Sequence, residues 1–525
     1  MSKKLVKSTA IVGIMTLISR VLGLVRDMVF ARFGVGAGMD AFFVAFKIPN
    51  FMRRLFAEGA FSQAFVPVLT QYKTQREPAE VKALVDRVAG TLAGSLGLLV
   101  LVAILASPAV VVVFAPGFWN DPVKFDLAAY MLRFTFPYLL FMALVSFAAG
   151  ILNSYERFGE AAFAPVWLNV VLIGMALLVA PSLDEPMIAL SWGVLIAGFV
   201  QLLFLLPALA RIHLLPRPRW GWRDPGVRRV LRLMGPGIVG SSVSQINLLL
   251  DTLLASFLVT GSVSWLYYAD RLVEFPLGIF GIALATVILP VLSKAHASES
   301  SADFSRTLDA GLRWVLLIGL PASVGLVVLA RPVLSTLFEY DDFLAHDVAM
   351  AGLALMAYAL GLPGFMLVKV LAPAFYSRQD TRTPVKVAIR AMLSNMGMNA
   401  LFVVPLVLFK VPGAHAGLAL ATALASYVNA GLLYRHLRRD GAYQPHTGWL
   451  RLMLQILLAA TVMTLVVLWG TPGADAWSGM TAGERGSRLS LGVGAGIVAY
   501  LTVLRLAGMR LSMLWAPAAE SGRTP

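Results

Sequence analysis

The chain contains no cysteine. That absence excludes disulfides, thiolate nucleophiles and thiolate-held metals. Charge is scarce as well: 14% of the 525 residues are Asp, Glu, Lys or Arg, against about 25% in ordinary soluble domains. The six histidines (His213, His296, His346, His415, His436 and His446) fall in loops or at the ends of apolar runs, without HExxH or other metal-ligand spacing. No GxxxxGK[ST] phosphate loop occurs, and no polar stretch is long enough for a soluble catalytic domain. These gaps argue against an enzyme and leave ion gradients, membrane potential or substrate supply to drive any transport.

What remains is apolar. Hydrophobic residues make up 58% of the chain and the mean hydropathy is +0.78, the composition of a polytopic membrane protein. Runs long enough to span a bilayer number about fourteen: near 9–33, 39–70, 85–115, 127–152, 160–181, 187–211, 228–259, 263–293, 309–338, 348–376, 383–408, 413–436, 448–470 and 488–508. The first carries Arg20 and Arg26 and has no small-residue cleavage site, so it reads as a retained helix. A net charge of +15 would suggest nucleic acid in a soluble protein. In this chain the positive-inside bias and anionic lipid explain it more simply.

Loop charges set the expected orientation. Lys3, Lys4 and Lys7 precede the first span, Arg217, Arg219 and Arg223 follow the sixth, and Arg435, Arg438 and Arg439 follow the twelfth. The alternate loops carry few cations, and EYDDFLAHD at 339–347 is acidic. Both termini are expected in the cytoplasm.

Short matches suggest a duplication. Val66-Pro67-Val68-Leu69-Thr70 pairs with Leu289-Pro290-Val291-Leu292-Ser293, Pro137 with Pro363, and Ala164-Pro165-Val166 with Thr383-Pro384-Val385, all at nearly one offset. The expected organisation is all-α: residues 1–211 hold six spans, 212–227 a cytoplasmic linker, and 228–440 a second six. Two further spans and a cytoplasmic tail occupy 441–525. Six spans separate the copies, so the repeat axis should lie along the membrane normal.

Ionisable residues inside spans cost roughly 2.5–3.5 kcal/mol each on insertion scales, and so normally face a partner, a bundle interior or water. Asp40, Lys47 and Arg54 recur every seven residues and Glu58 and Ser62 follow in steps of four, a stripe on one helical face. Arg54 and Glu58 can satisfy each other, yet Arg20, Arg26 and Arg53 leave an excess of cations. Arg20 and Arg26, six residues apart, are about 120° around the helix and roughly 9 Å along it. They can line a wide cavity for a large anion, with Asp27 as a local partner, or snorkel or sit in structural pairs. In the eighth span Asp270, Arg271 and Glu274 nearly balance, and Lys369 stands alone in the tenth. Ser244, Asn247 and Asp251 in the seventh span, with Asn395 and Asn399 in the eleventh, supply oxygens that suit Na⁺; Asp251 could instead carry a proton, or the group could be a polar helix contact.

Three stretches resemble the MurJ (MviN) family of lipid II flippases: Ser19–Asp27, Asp40–Asn50 and Arg53–Pro67. Tyr268–Pro276 and Ala372–Asp380 resemble the family's later motifs, so the likeness covers nearly the whole chain. It implies membership of the multidrug/oligosaccharidyl-lipid/polysaccharide exporter superfamily and a place in the bacterial inner membrane. The implied activity is transfer of the lipid-linked peptidoglycan precursor to the periplasmic leaflet by alternating access. It also implies headgroup-binding roles for Arg20, Arg26, Arg53 and Arg271, a polar lining that includes Asp40 and Glu58, and a lipid-tail groove in the last two spans. No cofactor, resident metal or nucleic-acid partner is implied; Na⁺ or H⁺ coupling and contacts with cell-wall synthesis proteins stay open. The stripe favours Arg54 where the family pattern favours Arg53. Alternative readings are a flippase for another polyprenyl-linked glycan and a cation-coupled drug exporter, though the latter would favour acidic and aromatic residues over arginine.

Overall fold

A computed structural model describes residues 3–55, 61–297 and 300–509, and among these the regular structure is entirely helical. They group into two units, within Met1–Ser264 and within Trp265–Pro525. The first unit holds α1 (Lys3–Ala31), α2 (Ala37–Arg53), α3 (Ser62–Gln75), α4 (Pro78–Leu105), α5 (Ser107–Phe114), α6 (Pro122–Thr135), α7 (Tyr138–Ser154), α8 (Phe158–Leu178), α9 (Pro186–Arg211) and α10 (Pro225–Ala255). The unit boundary falls in the first turn of α11 (Ser262–Ala297). The second unit continues with α12 (Ser301–Val328), α13 (Ala330–Phe338), α14 (Ala345–Tyr376), α15 (Arg382–Leu408), α16 (His415–Arg439), α17 (Trp449–Gly470), α18 (Ala474–Trp477) and α19 (Ala482–Leu506).

Helix starts follow local chemistry. Helices α4, α6, α9 and α10 open on proline, whose missing N–H is no loss at the first helical position. Asp121 and Asp224 cap α6 and α10, their side chains accepting from Lys124 N at 3.2 Å and from Gly226 N at 2.9 Å. Where the sequence suggests unbroken spans, several are divided. The 85–115 run splits at Ala106, just before the Ser107-Pro108 start of α5, and the 127–152 run is interrupted at Pro137 between α6 and α7. The 309–338 run splits at Leu329. The stripe expected along 39–70 is carried on α2, which ends at Arg53 beyond an internal Pro49, and on α3.

Ten helical stretches among the described residues are long and apolar enough to cross a membrane. The four other expected spans are α1, α2 with α3, α10 and α11, which carry most of the ionisable residues singled out above. Element starts recur along the chain at a nearly constant offset, pairing α2 with α11, α4 with α12, α6 with α14, α8 with α15 and α9 with α16. The short helices α5 and α13, which begin at Ser107 and Ala330, keep the same register.

Within the second unit, α14 and α16 approach closely through small residues. A Cβ on Gly361 would lie 2.6 Å from Ala423 Cα, and one on Gly364 would overlap Ser426. Close small-residue contact replaces the hydrophobic drive that lipid does not supply between helices. Gly361→Leu is therefore expected to cost about 1–3 kcal/mol or more through overpacking. It should lower both folded yield and melting temperature in detergent, whereas Gly397→Leu, at a position with no neighbouring atom within 4 Å, should leave both unchanged.

Candidate functional site

Asp40 sits in the first turn of α2 and is 1% exposed. Its carboxylate accepts from Gly261 N at 2.7 Å, from Ser264 N at 3.0 Å and from Ser264 Oγ at 2.6 Å. Gly261 and Ser264 flank the start of α11, whose first N–H groups have no partner within the helix. Asp40 thus caps α11 from a different helix, with its negative charge at the positive end of the dipole. Gly261 adopts φ +99°, a conformation suited to glycine, and this lets the α10–α11 turn present both amides to one carboxylate.

A buried cation completes this cluster. Lys124, 4% exposed in the first turn of α6, donates to Thr260 Oγ1 at 2.9 Å and lies 3.9 Å from Asp40 and 3.8 Å from Asp121. Its ammonium also stands 5.0 Å from the centroid of the Phe118 ring. The carboxylate alone would be very costly to bury; three hydrogen bonds and a nearby ammonium offset that cost. Two turns along α2, Lys47 donates to Thr252 Oγ1 at 3.3 Å, so α2 meets α10 through Lys47 and the α10–α11 turn through Asp40.

The α1 residues are arranged differently. Arg26 and Asp27, 4% and 2% exposed, bond to each other at 2.7 and 3.0 Å, and Arg26 Nη1 donates to Asn169 Oδ1 of α8 at 3.1 Å. Asn169 Nδ2 donates back to Ser19 O at 3.0 Å, and Phe30 lies beneath the guanidinium. Arg20 lies one turn and a half earlier, partly exposed, and its buried Nε has no hydrogen-bond partner among the described residues. Arg53 and Arg54 are both half-buried, and Arg53 Nε donates to Asn50 Oδ1 at 3.2 Å. Glu58 lies outside the described residues, as does the side chain of Ser244.

In the second unit Arg271 pairs with Glu274 at 2.9 Å and reaches Tyr267 OH at 3.3 Å, with Asp270 partly exposed beside it. Lys369 is exposed on α14. Of the candidate cation ligands, Asp251 on α10 in the first unit and Asn395 and Asn399 on α15 in the second are buried, and Asn247 is partly exposed.

Sequence reasoning passed over Lys124 and Asn169. Lys124 lies between two expected spans and reads as a loop cation; the signal that could have found it is Asp121-Pro122, a helix start just before the apolar run. In the second unit, Trp265 Nε1 donates to Asp347 Oδ1 at 2.9 Å, while the His415 ring lies 5.0 Å from the indole. Trp265 and Asp347 follow Asp40 and Lys124 at the offset that relates the element starts.

The family model "Lipid II flippase MurJ" matches residues 29–482. The chain belongs to the MurJ family. A probable lipid II flippase MurJ from Vibrio cholerae is 47% identical over 523 residues, covering 98% of each chain. The lipid II flippase MurJ of Burkholderia cenocepacia is 45% identical, over 89% of this chain and 90% of that protein. Among solved structures, a MurJ flippase in an inward closed conformation superposes with a TM-score of 0.78 at 26% identity, covering 94% of this chain and 98% of that one. An inward-facing multidrug transporter of the MATE family, at TM-score 0.64 and 16% identity, shares the fold and covers 83% of this chain. A MurJ family member is a transporter and not an enzyme, and the apolar helices make this one a multi-pass membrane protein.

The Asp40 cluster generates a stability test. Asp40→Ala removes the acceptor of three bonds and leaves Lys124 beside Thr260 with a weaker counter-charge, a loss of about 3–5 kcal/mol for a broken buried pair. Thermal melts in detergent of Asp40→Ala, Lys124→Met and the double variant should give a coupling energy of about 1–3 kcal/mol; strict additivity would mean that the two side chains do not share their burial cost.

Proposed function

We propose that this protein moves lipid II, the polyprenyl-diphosphate-linked disaccharide-peptide of peptidoglycan synthesis, from the cytoplasmic to the periplasmic leaflet of the bacterial inner membrane. The observation that carries the reading is whole-length similarity, 47% over 98% of both chains, to a relative named for that activity. A diphosphate joined to a glycopeptide cannot cross about 30 Å of hydrocarbon unaided, because its charges would be stripped of water. Guanidinium groups replace that hydration with charge-assisted hydrogen bonds while the polyprenyl tail stays in lipid. Arg20, Arg53 and Arg271 are the proposed headgroup contacts, with Arg54, Asp270, Glu274 and Lys369 as further lining or gating groups. Arg20 is the strongest, since its buried Nε has no partner among the described residues. Arg26 belongs to the same cationic set, and its bonds to Asp27 and Asn169 give it a defined direction.

The proposal includes fourteen spans, two six-helix copies related by a two-fold axis along the membrane normal, and two added helices that hold the lipid tail. The recurrence of element starts at a nearly constant offset supports the duplication. Both termini face the cytoplasm, which puts the Asp40 cluster at the periplasmic end. Alternating access then requires the bonds from Gly261 and Ser264 to Asp40 to break as the headgroup leaves. A driving cation, Na⁺ or H⁺, would act at Asp251. Cell-wall synthesis proteins are natural partners for the released product.

Depletion of the protein should leave lipid-linked precursor inaccessible to a periplasmic probe within one generation. Wild type should restore access, while Arg20→Ala and Arg271→Ala insert normally and fail to complement. Undiminished growth on either variant would remove the arginines from the mechanism, and unchanged precursor access on depletion, with no second flippase present, would remove lipid II.

A further inference from the structure

The linker between α9 and α10 is held more firmly than a connector needs to be. Residues 214–221 lie outside any helix, and from Arg217 onward three amides on alternate residues donate to α4, the pattern of an extended strap. Arg217 N donates to Asp86 Oδ1 at 2.7 Å, Arg219 N to Asp86 O at 2.9 Å and Gly221 N to Thr91 Oγ1 at 3.1 Å. Asp86 is buried, and Arg87 pairs with Asp224 at the far end of the strap. The approach depends on glycine: a Cβ on Gly90 would overlap the backbone of Arg219, and one on Gly94 would lie 2.7 Å from the Trp220 ring.

An extended chain sends successive side chains to opposite faces. Arg217 and Arg219 fall on one face; Pro218 and Trp220 fall on the other, where Trp222 stacks on Trp220 with centroids 6.2 Å apart and planes 11° from parallel. Both indoles are exposed, and so are Arg217, Arg219, Arg223, Arg228, Arg229 and Arg232, none of which makes an ion pair among the described residues. Depth follows from α4. The face on which Trp220 rests at Gly94 continues through Leu98, Leu101 and Leu105, all exposed, and no charge occurs on α4 beyond Arg87. The indole pair therefore stands where α4 passes from its charged turn into its lipid-facing stretch, the level at which tryptophan is favoured in membranes.

We propose that this strap is a docking surface for anionic phospholipid headgroups, the indoles seated at the acyl boundary and the arginines on the phosphates. Charge complementarity and continuity with the lipid-facing stripe argue for lipid over a soluble acidic protein, which would have no use for indoles at hydrocarbon depth. The inference rests only on the chain spanning a bilayer. It is independent of which substrate is moved.

Native mass spectrometry of the full chain in detergent, titrated with phosphatidylglycerol and with phosphatidylcholine, tests it without lipid II. The tightest phosphatidylglycerol site should weaken about fivefold per arginine, roughly a hundredfold in Arg217→Gln/Arg219→Gln/Arg223→Gln, with phosphatidylcholine binding unchanged. Equal phosphatidylglycerol affinity in wild type and triple variant would overturn the proposal. In bilayers of brominated lipid, the fluorescence lost in Trp220→Phe/Trp222→Phe should be the component quenched best by bromines near the headgroup. A component quenched at no depth, or best at mid-bilayer, would overturn the placement.

Discussion

Charge in a low-dielectric interior must be matched before anything else in this molecule can be arranged. Asp40 is the clearest instance, a carboxylate at 1% exposure whose acceptors are filled by the first turn of another helix. The same constraint operates at Arg26, matched by Asp27 and Asn169, and at Asp309, which accepts from Tyr443, Trp449 and the His446 amide while Arg313 lies at 2.7 Å. It operates again at Arg485, whose guanidinium donates to the carbonyls of Ser335, Glu339, Trp477 and Ser478. Each match joins elements distant in sequence. Lipid supplies little drive to bring helices together, so these polar matches and the small-residue contacts decide which helices touch.

Such matching divides the helices by task. Helices α1, α2, α10 and α11 carry most of the ionisable groups that lie within expected spans, and the ten stretches apolar enough to cross a membrane carry few. Fixed positive charge on the charge-carrying helices can replace part of the water that an anion loses on entering a membrane protein. The desolvation cost is limited by using one residue twice. Asp40 neutralises a buried lysine and also caps α11, so a single carboxylate satisfies two needs that separate groups would have to desolvate separately.

Much of this was legible from residue type and spacing. Apolar runs located the helices, and of the stripe that begins with Asp40 and Lys47 these two members bond to polar groups of the α10–α11 segment. Breaks within runs were less legible, since the divisions at Ala106 and Leu329 depend on where packing tolerates a short second helix. Lys124 was hidden because a lysine near a loop is usually solvated, and only the fold shows that Phe118, Thr260 and Asp121 close over it. Asn169 was hidden for a related reason: a lone amide in an apolar run carries no sign of its partner until α1 is laid against α8.

The two units answer one positional problem with different chemistry. At the start of α2 and α6 the first unit has Asp40 and Lys124; at the corresponding starts of α11 and α14 the second has Trp265 and Asp347, joined by an indole N–H and flanked by His415. The acid of one helix has an indole at its counterpart and the base of the other an acid, and the 3.9 Å ion pair of the first unit has a hydrogen bond in its place in the second. What persists is the requirement that these helix starts be tied by a polar contact, while the sign of the charge is free to change. Asp347 also accepts from Leu344 N at 3.0 Å, so the acid now caps its own helix, where Asp40 caps another. The first unit's contact therefore transmits any movement of the α10–α11 turn directly to α2, whereas the second unit's acid is anchored within α14 and leaves Trp265 as the group that can let go.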